Sequence, residues 1–450
     1  MDAAAEPACA TGSTSCVPPA PPGEPLDGSV PSIDGGEPLV SFDAGLLPDV
    51  SSARPPPSAA ELGPCVAGAS TSPAYELCIW TAPSELARIH ADPEARLEIA
   101  ARVSLDGRVY EGAELELHGG SGRRWPKKSY RVRFPDERPT FDFFGTGAEK
   151  TERVVLQAAW IDPTFIRNKL IFDTLNDIGA WAPRLGYARV YINGQLSGLY
   201  QVIERIDEHF LKRHGLDRDG NLYKAESEGA DFRTHDRTLL GFDEVTNEDG
   251  RADDLDDLLR AVMDTEISYA AYQRELATRV ALDDFVLWNI VMSHALNLDT
   301  FIKNYYLYHD PAATEPARGS VFRIIHWDAD ASYGIDWDKP RADQLERASL
   351  WSQPYDELPD NELARRMFSI PEYRSAYLAR FEELLRGPLS PALLGPKADA
   401  LLTALDPFIR ADLAQWQRAA SFDEERAFLK QMIELRARVM TQAIATMRAN

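Results

Sequence analysis

The chain has 450 residues, with 71 Asp+Glu against 48 Lys+Arg and a formal net charge of -23. Such acidity excludes general phosphate-backbone binding and favours basic partners. Apolar residues make up 44%, enough for a core, and no run approaches the roughly 18 apolar residues of a membrane span.

Residues 1–64 hold 13 of the 31 prolines, nine acidic residues and a single base, Arg54. Runs such as Pro55-Pro56-Pro57 mark a flexible, extended stalk rather than a core. The four cysteines are Cys9, Cys16, Cys65 and Cys78. The pairs Cys9–Cys16 and Cys65–Cys78 would each close a short loop. An even count beside a Pro-rich leader points to an exported protein with disulfides. Met1–Cys16 has neither a basic n-region nor an apolar h-region, so an exported protein would here be read in its mature form, extracellular, periplasmic or at the cell surface.

The ordered domain is expected over residues 65–450, β-rich over 65–225 and helical over 226–450. Leu97–Phe134 alternates apolar and polar residues around Asp106-Gly107 and Gly119-Gly120, as strands joined by hairpins do. Val154–Leu156 reads as another strand. Thr164–Ile178 has helical spacing, with Gly179 as its stop. Ala188–Ile192 and Gly198–Ile206 flank Asn193-Gly194, a pair suited to a type I′ turn. Helices are expected over Asp253–Met263, Ile267–Val280, Asp283–Asn297, Leu363–Met367, Tyr373–Leu385 and most of Ala398–Met447. Strands return at Asn304–His309 and Val321–Trp327. Strands first and helices last define an α+β, two-lobed layout. The tryptophans at 125, 160, 181, 288 and 327 are expected in the core.

Three segments carry chemistry. The first runs from Gly119 to Phe134. Its glycines, with Gly120 and Ser121 central, would let backbone N–H groups approach a phosphate, and Arg123 and Arg124 would add contacts. On the following strand, Lys128, Tyr130, Val132 and Phe134 are expected to share one face and Lys127, Ser129, Arg131 and Arg133 the other. A lysine inward beside aromatics would be a poised phosphate ligand. The second segment holds Asp299 and Asn304, spaced D-x-x-x-x-N. In phosphoryl transfer such a pair supplies a carboxylate for the acceptor hydroxyl and an amide oxygen for Mg²⁺. In the third, the apolar strand Phe322–Trp327 runs into Asp328 and Asp330, oxygen ligands suited to Mg²⁺ or Mn²⁺. Phosphate loop, lysine, D-x-x-x-x-N and strand-end Asp occur in the order that protein kinases use.

On these residues the chain resembles the CotH-type secreted protein kinases, the spore-coat kinase family. The resemblance spans roughly residues 75–440. It rests on Pro126-Lys127-Lys128-Ser129-Tyr130, Arg167-Asn168-Lys169-Leu170, and Tyr191–Gly194 with Gly198-Leu199-Tyr200. Glu204–Asp207, Asn304–Tyr308 and Trp327–Gly334 complete it. It implies an atypical two-lobed kinase-like fold that transfers the γ-phosphate of ATP, with Mg²⁺ or Mn²⁺, to Ser/Thr of surface or exported proteins. Carried over, Asp299 is the catalytic aspartate and Asn304 a metal ligand. Asp328 is the first choice for the metal-binding strand-end aspartate, with Asp330 beside it. Lys127 or Lys128 binds nucleotide phosphates, Glu204 belongs to the nucleotide pocket, and Lys224 is a further phosphate candidate. Leu298 precedes Asp299 where kinases have His-Arg, Ala329 follows Asp328 where they have Phe-Gly, and Thr164–Gly179 contains no glutamate to pair with a lysine. The competing readings are a non-catalytic surface binding or assembly module and a metal-dependent phosphotransferase or phosphatase of another class. The acidic surface would suit basic, Ser-rich protein substrates.

Overall fold

The computed structural model describes residues 65, 73–232, 241–247, 252–264, 266–297, 299–335 and 361–449. The expected stalk, with Cys9 and Cys16, lies outside the described residues.

The first lobe contains β1 (Ala74–Thr81), α1 (Pro83–Ala91), β2 (Ile99–Leu105), β3 (Arg108–Leu117), β4 (Tyr130–Arg133), β5 (Thr140–Phe141), β6 (Glu149–Lys150), β7 (Arg153–Gln157), α2 (Arg167–Asp177), β8 (Leu185–Ile192) and β9 (Gln195–Ile203). Seven strands close a barrel in the order β1-β2-β3-β4-β7-β9-β8, and β5 and β6 form a separate ribbon. Neighbouring barrel strands are antiparallel except at the seam, where β1 runs parallel to β8 with Leu77 opposite Val190. The hairpins follow the turn chemistry. Asp106 and Gly107 have φ of 49° and 78°, and Asn193 and Gly194 have 50° and 82°, the left-handed pair a type I′ turn requires. Val103, Leu115, Val132, Leu156, Val190 and Val202 point inward and form the barrel core. Cys65 and Cys78 are joined by a disulfide, tying the chain ahead of the barrel to β1.

The second lobe contains α3 (Glu208–Arg213), β10 (Asn221–Ala225), β11 (Phe242–Glu244), α4 (Asp253–Met263), α5 (Tyr269–Arg279), α6 (Leu282–Ala295), β12 (Tyr305–His309), β13 (Arg323–His326), α7 (Glu362–Ser369), α8 (Pro371–Arg386), α9 (Pro391–Gln415) and α10 (Phe422–Ala449). Its sheet has the order β11-β10-β12-β13, antiparallel throughout. β10 therefore belongs to the second lobe, and the lobe boundary falls before Asn221 rather than at residue 225. The long helices bury an apolar face built from residues such as Leu402, Ile409, Leu429, Ile433 and Met440. That core is continuous with the outward-facing Val155, Leu199 and Ile203 of the barrel and with Leu170, Ile171 and Leu175 of α2. Of the five tryptophans expected in the core only Trp288 is fully buried, and the other four are half-buried.

Candidate active site

The acidic residues singled out in the sequence converge where the two lobes meet. α6 ends at Ala295, Leu296 takes a left-handed backbone with φ 53°, and the chain turns through Asn297 to Asp299. Asn304 lies just before β12. Its amide donates to Asp299 Oδ2 at 2.8 Å and to the Asp299 carbonyl at 3.3 Å. Lys303 Nζ stands 3.1 Å from the other carboxylate oxygen of Asp299. β13 delivers Asp328 and Asp330, and Gln157 of β7 donates to Asp330 Oδ2 at 3.3 Å. Asn304 and Asp328 have φ of 61° and 58°, a region that Asn and Asp tolerate better than other side chains with a Cβ.

The electrostatics follow from this crowding. Burial pushes the Asp299 carboxyl up to about 6, opposed by Lys303 and reinforced by Asp328. Burial and the Asp328 charge push Asp330 well above the usual carboxylate range. Asp328 is raised by burial too. Its Oδ1 is buried with no hydrogen-bond partner. Lys224, on β10, acts electrostatically on Asp328. Burial alone would lower the Lys224 ammonium, but Tyr306 and Glu226 outweigh it and hold it above its ordinary value. Burial, helped by Lys224, Arg205 and Arg123, lowers His118 to about 4, so it is neutral at pH 7.

An orphaned carboxylate oxygen among mutually repelling acids is the donor set a hard divalent cation relieves. Among the described residues no group of three or more His, Cys, Asp or Glu side chains could hold a metal by itself.

The helix α2 ties this region to the first lobe. The carboxylate of Asp162 fixes its start, accepting the N–H of Arg167 at 2.9 Å and the N–H of Thr164 at 2.9 Å. Arg167 Nε then donates to the Ser332 carbonyl at 2.8 Å, and Asn168 Oδ1 accepts the Ala329 N–H at 2.6 Å. These contacts join α2 to the acidic loop although α2 has no glutamate to pair with a lysine.

The other residues singled out make contacts elsewhere. Lys127, not Lys128, is the buried lysine beside aromatics. The strand begins only at Tyr130, so the expected alternation does not extend back to the lysines. Lys127 Nζ is 2.6 Å from Asp412 Oδ2, donates to the Leu199 carbonyl, and sits 4.4 Å from the Tyr200 ring centroid. Burial lowers it to about 8 against the pull of Asp412. Lys128 donates to the Arg123 carbonyl at 2.8 Å. Arg124 pairs with Glu94 at 3.0 Å and is exposed. Gly120 precedes a short 3-10 turn, Ser121–Arg124, and its carbonyl accepts from Arg123 Nε at 3.3 Å. Glu204 follows β9 and is gripped by Arg184 at 2.7 Å and by Arg213 at 2.7 and 2.8 Å. A cavity of about 740 Å³ opens behind α2, with Lys169, Asp173, Trp181, Arg184 and Lys397 in its walls, apart from the acidic site.

Asn168, Asn297, Gln157 and Lys303 complete the site, and sequence reasoning gave none of them a role in it. Asn297 and Lys303 were within reach of it, two residues before and four after Asp299. Asn168 and Gln157 become site residues only through tertiary contact.

With two lobes meeting at an Asp-Asn pair and a strand-end acid pair, the protein is of the kinase-like class. The profile of the CotH kinase protein family matches residues 115–440, and the chain belongs to that family. It is similar to the inner spore coat protein H of Bacillus subtilis (strain 168), 25% identical over 337 residues, covering 73% of this chain and 86% of that protein. It is also similar to invasin CotH2 of Rhizopus delemar, 24% identical over 272 residues, covering 57% of this chain and 44% of the invasin. Among solved structures, a Shewanella oneidensis HipA–HipB–operator DNA complex matches at TM-score 0.37 and 12% identity, over 72% of this chain and 66% of that one. No helix among the described residues is long and apolar enough to cross a membrane.

Proposed function

We propose that the protein is an exported Ser/Thr kinase that transfers the γ-phosphate of ATP to other surface or exported proteins. The observation that carries this reading is the pairing of Asp299 with Asn304 beside the unpartnered Asp328 carboxylate oxygen. Asp299 accepts the proton of the acceptor hydroxyl. Its carboxyl, pushed up to about 6, is ionised at neutral pH yet basic enough to take that proton. Asn304 gives its N–H₂ to Asp299, which leaves its amide oxygen for a cation, and Asp328 and Asp330 supply the carboxylates. A divalent cation bound there would neutralise phosphate charge during transfer. Lys224 and Lys303 are the cations at hand for the nucleotide phosphates. The work of the site is positioning and charge stabilisation.

The Cys65–Cys78 disulfide supports an oxidising compartment, and relatives named as a spore coat protein and an invasin support a coat or surface setting. The net charge of -23 favours basic, Ser-rich acceptors.

The test is incubation with γ-labelled ATP, Mg²⁺ or Mn²⁺ and a basic Ser-rich acceptor. Wild type labels the acceptor, whereas Asp299→Asn and Asp328→Asn lose at least about 100-fold in rate. Retained activity in both variants overturns the residue assignment. No label and no Mg·ATP-dependent thermal shift in wild type favours a non-catalytic surface module.

A further inference from the structure

We infer that Asn168 and Asn297 clamp a single peptide group, Asp328–Ala329, and that this clamp sets Asp328 in place relative to Asp299. Asn168 Oδ1 accepts the N–H of Ala329 at 2.6 Å, and Asn297 Nδ2 donates to the carbonyl of Asp328 at 3.2 Å. Those N–H and C=O groups are the two ends of one planar unit, so it is held from both sides. Both asparagines are fully buried.

The hold matters because Asp328 has φ 58°. A left-handed aspartate persists only where its surroundings over-determine it. Two fixed partners on the next peptide do that here. The opposite ends of the two amides extend the line. Asn168 Nδ2 donates to Gln201 Oε1 on β9 at 2.9 Å, and Asn297 Oδ1 accepts the N–H of Asp299 at 3.1 Å. Hydrogen bonds thus run from the barrel, through the Asp328–Ala329 peptide, to the backbone of Asp299, buried on the Asn168 side and part-buried on the Asn297 side. Each position needs a donor and an acceptor on one short side chain, which asparagine has and aspartate or leucine lacks. Asn168 and Asn297 are positioning residues that act through Asp328 and Asp299.

The inference rests on the kinase reading in taking Asp328 as a cation ligand and Asp299 as the base. It is tested on the full chain by Mn²⁺ titration followed by electron paramagnetic resonance, beside labelling kinetics. Asn168→Ala and Asn297→Ala should each weaken Mn²⁺ binding about 10- to 100-fold, the usual loss when a ligand's outer partner is removed. Each should lower kcat while leaving KM for the acceptor peptide unchanged. The double variant should be no worse than the poorer single one, since both side chains hold the same peptide.

Wild-type Mn²⁺ affinity in folded single variants overturns the clamp, as do losses that multiply in the double variant. If wild type binds Mn²⁺ but transfers no phosphate, the kinase reading fails while the Mn²⁺ comparison still decides the clamp. If wild type binds no Mn²⁺, both fall. Should an alanine variant fail to fold, Asn168→Leu and Asn297→Leu keep the buried volume, lose both hydrogen bonds and carry the same expectations.

Discussion

The Lys127 ammonium lies 2.6 Å from the carboxylate of Asp412, 285 residues further along the chain, and both side chains are 1% exposed. The contact fastens the barrel to α9. Asp412 Oδ2 also accepts the Leu199 N–H at 2.8 Å, and a Cβ on Gly198 would lie 2.1 Å from that oxygen. Gly198 has φ +127°, so glycine is required there both for space and for backbone conformation. Removing one member of a buried ion pair strands the other. Lys127→Met should therefore cost about 3–5 kcal/mol in urea unfolding, and Lys127→Met/Asp412→Leu should recover much of that loss. Nucleotide affinity of the folded variant should be unchanged. A Lys127 variant of full stability that binds ATP poorly would return this lysine to the phosphate site.

Lys224 should behave in the opposite way. It is partly exposed and acts electrostatically on Asp328. Lys224→Ala should leave stability within about 0.5 kcal/mol, as at most partly exposed positions. It should weaken ATP binding about tenfold in a thermal-shift titration, the loss of one charge-assisted contact.

The disulfide closes a short loop, with Cys65 and Cys78 13 residues apart. The chain-entropy account gives such a loop about 3 kcal/mol. Urea midpoints with and without reductant should differ accordingly, and Cys65→Ser/Cys78→Ser should lose the reductant effect. An unchanged midpoint on verified reduction would show that β1 is held by barrel closure alone.

Acid should destabilise the second lobe through His294. Its ring is buried in α6, with Nδ1 3.2 Å from the Tyr333 hydroxyl. Burial, with Arg436 adding to it, lowers its pKa from 6.5 to about 3. The folded ring stays neutral while the unfolded chain takes up a proton below pH 6.5, so stability falls as pH drops from 6.5 toward 3. At pH 5.5 the loss is about 1.4 kcal/mol. Burial lowers His90, His118, His214 and His326 in the same sense, so His294→Gln should lessen, by one proton's share, the dependence of the unfolding free energy on pH between 7 and 5. An unaltered slope would place the acid sensitivity elsewhere.

Local signals were legible where local physics decides. Asn193-Gly194 and Asp106-Gly107 formed their turns, Gly179 ended α2 with φ 85°, and Asp299 found Asn304 five residues away. What escaped depended on distant partners. Nothing in Ala74–Thr81 announces a parallel partner more than 100 residues away, so β1 and the barrel's closure were not foreseen. Alternation alone made Lys128 the inward lysine, but which lysine is buried depends on Asp412. Glu204 looked free to meet a nucleotide until Arg184 and Arg213 took both its oxygens. The motifs that carry the family resemblance also divide by role. Lys127 and Gly198-Leu199-Tyr200 build the tie to α9, whereas Arg167-Asn168 reaches the acidic loop.

A barrel has no first or last strand. Because β1 is stitched to β8, the described barrel strands close on one another, and the barrel offers no open ladder for a strand from another molecule. Molecules crowded side by side would meet at the barrel wall through side chains, under the mutual repulsion of a chain with net charge -23. The closure that builds the barrel of the first lobe thus also removes the sheet edge through which copies of it could polymerise.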